Sequence, residues 1–422
     1  MPGDPDGCPK ADPVVDQVGA NLTRLAGDLS RIGIALSGGG DSTALMHLAH
    51  RWAGGRQLFA ATVDHGLRPE AAQEAHEAHQ AASRLGIPHA TLLWRRDTKA
   101  GNLMAAARDA RLRLLSGWAR RNDLEAVLLG HTIDDQAETI LMRLARGSGV
   151  DGMAGMAEIR GAFGMRWVRP MLGVSRSELR DWLMGQGIGW IEDPSNENDD
   201  YDRVRIRKAI GLLDLPARQL AQSAANMAMA RDALQDFAAQ IAKGANAALG
   251  SLQLSLTSFR RAPLEIRRRL LVAGLRFVSG ADYPPRREAI LHALVALNTA
   301  PRITLDGVIV EPRGDLLRFI REPAAAARAD EALPDEAGAA IWDERWRVSG
   351  LLPGQVVRAL GHGPLPELNW RASGLGRDEA AATPGIWRGD SLVAAPLLKA
   401  HRQIGVTPLR ELPEFTALLY TH

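Results

Sequence analysis

The sequence contains a single cysteine, Cys8, within a stretch rich in proline, glycine and aspartate. One cysteine forms no internal disulfide, and a cysteine in such a tail is a poor candidate for a catalytic thiol. This excludes disulfide-stabilised folds and chemistry that is relayed through several thiolates. So few cysteines are typical of a reducing compartment, and we expect a cytoplasmic protein.

Long apolar runs are missing as well. No segment approaches the roughly 18 consecutive apolar residues of a membrane span, and the N-terminus lacks the basic and then apolar stretch of a signal peptide. We therefore expect no membrane association. Hydrophobic residues make up 46% and charged residues 24% of the 422 residues, which is typical of a globular protein with two or three domains.

Short apolar runs alternate with helical patterns in the N-terminal half. The predicted strands are RIGIAL, QLFAATVD, HATLLW and EAVLLGH, and the predicted helices cover residues 42–52, 69–85, 103–120 and 134–146. Apolar strands that alternate with helices indicate an α/β fold with a doubly wound parallel sheet. Ligands of such sheets bind beyond the carboxyl ends of the strands, where the polar residues that follow strands one, two and four would form one site.

The rest of the chain predicts further domains. An alanine-rich helical stretch, two more helices and a hairpin pattern lie between residues 213 and 322, and a linker-like stretch follows. We expect a tail at 1–24, an α/β catalytic domain at 25–212, a helical and hairpin domain at 213–322, a linker at 323–340 and a small mixed α/β domain at 341–422.

The first predicted strand is followed by SGGGDS, which comprises Ser37, Gly38, Gly39, Gly40, Asp41 and Ser42. Consecutive glycines let backbone N–H groups converge on an anion, and the N-terminus of the next helix adds partial positive charge. Neither GxxxxGK[ST] nor GxGxxG is present, and the missing lysine argues against γ-phosphate transfer. The alternative is a simple turn with Asp41 or Ser42 as the N-cap of the helix.

SGGGDS resembles the SGGxDS signature of the pyrophosphatase-loop ATPases, which cleave ATP between the α- and β-phosphates. The resemblance implies an adenine nucleotide α-hydrolase-like sheet, ATP as co-substrate and a loop that binds the departing pyrophosphate. It also implies that Asp41 positions Mg²⁺ or orients the second substrate. Members that transfer sulfur or use glutamine need reactive cysteines, which Cys8 cannot supply, so we expect an amine from a free substrate as the nucleophile.

Longer stretches resemble the tRNA(Ile)-lysidine synthetase family, in family order. They are VDHGLRPEA, GNLMAAARDAR, GHTIDDQAETILMRLARGSGVDGMAGM, VRPMLGVSRSEL and EDPSNENDDYDRVRIR. The resemblance implies an ATP-dependent ligase that joins free L-lysine to the wobble cytidine of isoleucine tRNA with a CAU anticodon. The cytidine is adenylated first, and AMP and pyrophosphate are released. The sequence departs from the family at Met104, Leu112 and Val204, where Glu, Tyr and Asn are frequent.

Three polar residues of the longest stretch, His131, Asp135 and Glu138, are spaced to share one face of a helix. We expect Asp135 and Glu138 to bind lysine or Mg²⁺, with Asp41 and Asp135 as metal ligands, and His131 to lie near the reacting centre or act as a base. For Asp135 alone, the alternative is an acidic residue that stabilises the helix N-terminus together with Asp134.

Other residues are expected to contact ATP. Arg111, which follows Arg108 by three residues, is expected to reach the α-phosphate, although both arginines would also suit a solvated helix face. Asp64 and His65 end the second strand, where the resemblance places the base or ribose of ATP. A simple turn is the alternative for Asp64 and His65.

The net charge is only +2, so any RNA binding must come from local basic clusters. One cluster comprises Arg203, Arg205, Arg207 and Lys208, and a second includes Arg268 and Arg269 among the arginines of the middle region. We expect both to contact tRNA phosphates, against the alternative of a solvated or helix-starting basic face. The sequence leaves open a homodimer, another amine-using ATP pyrophosphatase and a non-catalytic RNA-binding module.

Overall fold

The computed structural model describes residues 12–64, 66, 71–94, 103–192 and 202–420, and of residues 103–108 only the backbone. Two compact units are present, Met1–Met229 and Ala230–His422. Among the described residues, none of the helices combines the length and the apolar character that crossing a bilayer requires. The finer domain boundaries given above stay predictions.

The first unit is built on a six-stranded sheet. Its strands are β1 (Arg31–Ala35), β2 (Gln57–Asp64), β3 (His89–Leu93), β4 (Ala126–Leu128), β5 (Ile159–Ala162) and β6 (Met165–Val168). Its helices are α1 (Pro13–Ala26), α2 (Gly40–Trp52), α3 (Ala71–Arg84), α4 (Leu103–Arg121), α5 (Ile133–Ala145), α6 (Val150–Met153), α7 (Arg176–Gly185) and α8 (Asp202–Leu212), and α9 (Ala217–Ala242) crosses into the second unit.

The strand order is β3-β2-β1-β4-β6-β5, and all neighbours are parallel except β5 and β6. Alternate residues of β1 supply two cores, because Ile32 and Ile34 pack with α1, α2 and α7, whereas Ala35 packs with α4. The predicted α/β fold with a mostly parallel sheet is confirmed. The order reverses between β1 and β4, so the crevice for a ligand lies beyond their carboxyl ends.

Helix α1 occupies residues that the sequence analysis assigned to a tail. Val18 and Leu22 are fully buried in the core, and the Asp12 side chain caps the helix by accepting a hydrogen bond from the Val14 N–H at 3.1 Å. The tail prediction is therefore wrong for residues 13–24. The spacing of Val18 and Leu22 is the helical signal that the composition of the preceding residues obscured.

The second unit is dominated by antiparallel sheets. Its strands are β7 (Asn246–Ala248), β8 (Ser251–Ser255), β9 (Ile303–Leu305), β10 (Val308–Arg313), β11 (Leu316–Arg321), β12 (Ala340–Trp342), β13 (Trp346–Ser349), β14 (Val356–Ala359), β15 (Pro384–Arg388), β16 (Ser391–Ala394) and β17 (Gly405–Pro408). Its helices are α10 (Leu256–Arg261), α11 (Leu264–Ser279), α12 (Arg287–Ala296), α13 (Pro323–Ala327), α14 (Arg377–Ala381) and α15 (Leu412–Tyr420).

Three sheets in this unit have the orders β7-β8-β11-β10-β9, β12-β13-β17 and β14-β15-β16. The predicted hairpin is present as β10 and β11, but it belongs to a five-stranded sheet that the prediction of a helical domain missed. The predicted linker also contains structure, because Ala326 of α13 is fully buried and Ala332 pairs with Val357. The linker prediction was based on alanine-rich composition alone. In the structure, the small side chains of this stretch pack closely against the sheet that contains β14.

Buried ion pairs connect parts of the second unit that are distant in sequence. Arg318 pairs with Glu379, whose other oxygen accepts a hydrogen bond from the Ser251 hydroxyl at 2.8 Å. Arg321 and Arg345 both pair with Asp343, at 2.6 and 3.2 Å. The strands of the five-stranded sheet are therefore joined to the C-terminal segments by compensated charges as well as by apolar contacts.

We expect Leu22→Ala to destabilise the first unit by about 2–5 kcal/mol, because it leaves a cavity in the core on which α1 packs. Leu212→Ala is the matched control, since Leu212 is 87% exposed. Thermal unfolding followed by circular dichroism measures both changes. Equal midpoints for the two variants would show that α1 does not contribute to the core.

Candidate active site

The glycine loop lies between β1 and α2, at the reversal of strand order. Gly38 has a φ of +85°, a left-handed conformation that favours glycine. The hydroxyl groups of Ser37 and Ser42 lie 2.9 Å apart, and the Ser37 N–H donates to Ser42 Oγ at 3.1 Å. Thr43 Oγ1 donates to the carbonyl of Gly38 at 3.1 Å, which fixes the turn from inside.

The N-terminus of α2 is open to an anion. Gly39 is the N-cap and provides no side-chain hydrogen bond, and Gly40 is the first helical residue. The first N–H groups of a helix have no intrahelical acceptor, and they carry the positive end of the helix dipole. This geometry agrees with the predicted phosphate site and not with a side-chain-capped turn.

Two other segments pack closely against the glycine loop, the end of β4 and residues 190–191. A Cβ on Gly130, just after β4, would lie 3.1 Å from the carbonyl oxygen of Asp41, so the end of β4 approaches the start of α2. The Ile191 N–H donates to the Gly38 carbonyl at 2.9 Å, and a Cβ on Gly40 would lie 3.5 Å from the Trp190 ring. No local pattern in the sequence indicates Trp190 and Ile191 as site residues, because their contact with the loop is long-range.

Helix α5 presents two buried acids beside this loop. Thr132 and Asp135 form a capping box, in which the Thr132 N–H donates to Asp135 Oδ2 at 2.8 Å. Glu138 is 1% exposed. Asp135 therefore does stabilise the helix N-terminus, as the alternative held, but its second oxygen faces the same cation as Asp41 and Glu138.

That cation is Arg176, the first residue of α7, which the sequence analysis did not single out. Its Nε donates to Asp41 Oδ2 at 3.1 Å, its Nη2 to Asp135 Oδ1 at 3.4 Å, and its Nη1 lies 3.7 Å from Glu138 Oε1. A cation in the first turn of a helix opposes the helix dipole. This unfavourable position within the quoted VRPMLGVSRSEL stretch is the signal that could have identified Arg176.

Asp41, Asp135 and Glu138 are called the acidic cluster below. Arg207 adds a second cation, because its Nε donates to Glu138 Oε1 at 3.0 Å. Asp41 Oδ1 and Glu138 Oε2 are buried and have no hydrogen-bond partner among the described residues. Two buried acceptor atoms without donors indicate a place for an additional cation or hydrogen-bond donor.

Burial and charge set the protonation of the acidic cluster. Burial raises the pKa of Asp41 and of Glu138, although Arg176 and Arg207 oppose this shift. Burial acts in the same direction on Asp135, but the adjacent His131, Arg176 and the Thr132 N–H together outweigh it and lower its pKa. Burial alone would lower the pKa of Arg176, but the three carboxylates raise it, so the guanidinium stays charged.

His131 lies next to Asp135 and also next to the basic side of the site, which Arg111, Arg169 and Arg203 form. Burial lowers its pKa to about 3, and the charges of Arg169, Arg111 and Arg203 act in the same direction. Arg169 Nε donates to His131 Nδ1 at 3.1 Å, so we assign the proton of the neutral ring to Nε2. His131 is therefore a hydrogen-bond donor at neutral pH, and the predicted role as a base is disfavoured.

Of the other residues predicted to contact ATP, the structure describes Arg111 and Asp64, and it places them in different surroundings. Arg111 is in α4, and its charge acts on His131, which puts it on the basic side of the site. Asp64 ends β2, and its Oδ1 accepts a hydrogen bond from the Gly66 N–H at 2.8 Å, as in the turn alternative. His65 and the Arg108 side chain lie outside the described residues.

The first predicted RNA cluster is helical. Arg203, Arg205, Arg207 and Lys208 all lie in α8, so they are spread around the helix. Arg207 contacts Glu138, and Arg203 acts on His131, whereas Arg205 pairs with Asp202 near the exposed Lys208. Contact with tRNA by this cluster stays a prediction, and Arg207 belongs to the site itself.

The second predicted RNA cluster needs a correction. Arg269 is 2% exposed, and its Nε lies 3.1 Å from Glu265 Oε1 one helical turn away. A guanidinium enclosed in this way cannot contact a phosphate backbone, so the prediction is wrong for Arg269. Arg268 is partly buried and pairs with the same Glu265 at 2.7 Å.

Comparison with known proteins agrees with this geometry. Residues 15–213 match the family model described as a PP-loop domain. The tRNA(Ile)-lysidine synthase of Ruegeria pomeroyi is 46% identical over 87% of this chain and 88% of that protein. Those of Wolbachia sp. subsp. Brugia malayi and Bradyrhizobium diazoefficiens are 32% and 36% identical, over 75% and 70% of this chain and 76% and 91% of those proteins.

The parallel sheet, the open helix N-terminus and the family match define the first unit as a PP-loop ATP-using domain. The similarity to the curated relatives extends through most of the second unit. The chain belongs to the tRNA(Ile)-lysidine synthase family.

We expect Gly38→Ala to weaken binding of a non-hydrolysable ATP analogue by about tenfold or more. Alanine is strained at this φ, and its Cβ would lie 2.5 Å from Ile191 Cδ1. Gly55→Ala is the control, because no atom lies within 4 Å of a Cβ at that position. Calorimetric titration measures both affinities, and an unchanged affinity for Gly38→Ala would contradict the loop assignment.

We expect His131 to stay neutral down to about pH 4, since its pKa is lowered from 6.5 to about 3. Below pH 6.5 the unfolded chain binds a proton that the folded site excludes, so this contribution to stability falls as the pH falls. NMR of protein with labelled histidine, assigned with His131→Gln, checks the ring directly. A titration midpoint near 6.5 would refute the assignment.

Proposed function

We infer that this chain is an ATP-dependent ligase that joins lysine to the wobble cytidine of isoleucine tRNA with a CAU anticodon. Membership of the tRNA(Ile)-lysidine synthase family through both units carries this conclusion. In the reaction the carbonyl oxygen O2 of cytidine attacks the α-phosphate of ATP, and pyrophosphate leaves. The ε-amine of lysine then attacks C2 of the ring, and AMP leaves.

The glycine loop would bind the leaving pyrophosphate. Its support is the open N-terminus of α2 and the hydroxyl groups of Ser37, after β1, and Ser42, in the first turn of α2. Arg111 would contact the α-phosphate from the basic side of the site, where its charge already acts on His131. Fixed donors that face the developing charge stabilise the transition state without reorganisation. Asp64 and His65 stay predicted contacts of the base or ribose.

The acidic cluster would hold the lysine ammonium. Glu138 Oε2 is a buried acceptor without a partner among the described residues, and burial raises the pKa of this carboxyl. A carboxylate with a raised pKa is the better acceptor for the proton that the amine must lose before it attacks. His131 would donate its Nε2–H to the reacting base or phosphate, since its ring is neutral.

Magnesium would accompany ATP at Asp41 and Asp135. The described residues contain no group of three or more acidic, histidine or cysteine side chains placed to hold a metal. Magnesium at nucleotide sites needs only one or two carboxylates beside the phosphates, and the buried Asp41 Oδ1 fits this requirement. When bound, the ion would neutralise phosphate charge.

The tRNA would approach along α8. The exposed Lys208 and Arg205 lie on this helix, which also supplies Arg207 to the acidic cluster, so the RNA contact and the site share one element. Arg268 stays a predicted RNA contact. Because ATP, free lysine and tRNA are the proposed substrates, we expect the protein to act in the cytoplasm; a homodimer stays a prediction.

The direct test supplies the protein with ATP, radiolabelled lysine and transcribed isoleucine tRNA, and follows AMP release and label in the RNA. We expect both products, each dependent on lysine and on the CAU anticodon. AMP without label in the RNA would indicate another amine-using ATP pyrophosphatase. RNA binding without AMP would indicate a binding module.

We expect Glu138→Gln to lower kcat/KM for lysine by on the order of 10²–10³-fold, because it removes a buried negative charge and a proton acceptor. Asp232→Asn, at a side chain that is 60% exposed, is the matched control and should be unaffected. Initial rates of label transfer at saturating ATP measure the effect. Undiminished transfer by Glu138→Gln would contradict the role of the acidic cluster.

A further inference from the structure

Arg176 contacts carboxylates from two separate elements of the site. The shortest hydrogen bond of its guanidinium is to Oδ2 of Asp41, the residue directly after the three glycines, at 3.1 Å. Its Nη groups lie 3.4 and 3.7 Å from Asp135 and Glu138 of α5. The side chain is only 20% exposed, so these contacts are weakly screened by water.

The backbone holds Arg176 in place independently of its side chain. The Arg176 N–H donates to Asp134 Oδ2 at 2.8 Å, and the Ile133 N–H donates to the Val174 carbonyl at 3.0 Å. Ser175 and Glu178 form a capping box that begins α7 at Arg176. The starts of α5 and α7 are therefore joined, and the guanidinium extends from this junction to the start of α2.

The first residue of α7 is an unfavourable place for a cation, which suggests that Arg176 has a role other than stabilising the helix. Arg176 is at the positive end of α7, where an acidic residue would be preferred, and the N-termini of α2 and α5 are adjacent. Three carboxylates near one phosphate loop, two of them buried and one partly buried, would repel ATP without compensation. Arg176 offsets that repulsion while leaving Asp41 Oδ1 and Glu138 Oε2 without donors.

We propose that Arg176 is a positioning residue that joins the pyrophosphate loop to the amine-binding acids and allows ATP and a cationic substrate to bind side by side. The inference rests on the proposed function and extends it. Arg176 shares its carboxylates with the incoming ammonium, so it promotes ATP binding but competes weakly with the amine. A residue that only supported the fold would affect ATP binding and amine binding in the same direction, so these opposite effects identify a positioning residue.

Other charged groups also face the acidic cluster. They are Asp134 on α5, Arg180 on α7, and Arg203 and Arg207 on α8, together with His131 before α5. With Arg176 removed, Arg207 still donates to Glu138 and the Thr132 N–H still donates to Asp135, so the lost contact is the one that joins Asp41 to α5.

The experiment compares Arg176→Gln and Arg176→Lys with the wild-type chain. For Arg176→Gln at alkaline pH, we expect the affinity for α,β-methylene-ATP to fall about tenfold or more. We expect kcat to fall on the order of a hundredfold, while the KM for lysine stays equal or falls. Arg176→Lys should restore the ATP affinity but leave kcat lowered, because one ammonium cannot contact both elements.

Arg24→Gln is the matched control, since it breaks the exposed pair of Arg24 with Glu158 and touches no part of the site. Unchanged ATP affinity in Arg176→Gln would overturn the proposal, as would a joint loss of ATP and lysine binding. If Arg176→Gln does not fold, Arg176→Lys decides: wild-type kcat, or failure to keep ATP affinity, overturns the proposal.

The two proposals fail in different ways. If the wild-type chain transfers no lysine to RNA, the proposed function fails, but the affinity for α,β-methylene-ATP still measures the effect of Arg176. If the wild-type chain transfers lysine and Arg176→Gln binds the analogue normally, only the role of Arg176 is refuted.

Discussion

Compensation of two buried carboxylates and one partly buried carboxylate by two guanidinium groups is the interaction on which the site depends. Asp41, Asp135 and Glu138 come from two helices, and Arg176 and Arg207 come from two others. Buried charges of one sign are stable only when they are paired and hydrogen-bonded. The parallel sheet makes this pairing feasible, because it brings the helix starts to one edge.

The site separates charge into two halves. Arg111, Arg169 and Arg203 act on His131 against the charge of Asp135, whereas Arg176 is surrounded by carboxylates. A polyanionic nucleotide and a cationic amine have opposite requirements, and this division would serve each of them without neutralising the other. The neutral imidazole lies where the two fields meet. It can donate a hydrogen bond there without adding a charge that one of the substrates would oppose.

The features that could be predicted from the sequence are those that depend on local patterns of residues. The parallel sheet and the glycine turn follow from apolar runs and glycine spacing, and the buried acids of α5 follow from helical periodicity. Arg176, Arg169 and Trp190 were missed, because their roles depend on contacts between segments far apart in the chain. Charge alone could not distinguish the enclosed Arg269 from a solvated arginine, since burial depends on the tertiary packing of its helix.

The ion pairs of the second unit limit how this protein could be divided or recombined. Arg318 and Arg321 lie on β11, but their partners Glu379 and Asp343 come from beyond α13. A polypeptide ending at the predicted linker would lose both of these partners, and Arg318 would keep only its longer contact, 3.4 Å, to Glu311 of β10. A chimera made from two relatives would therefore have to take β8, β11 and the C-terminal sheets together from the same parent.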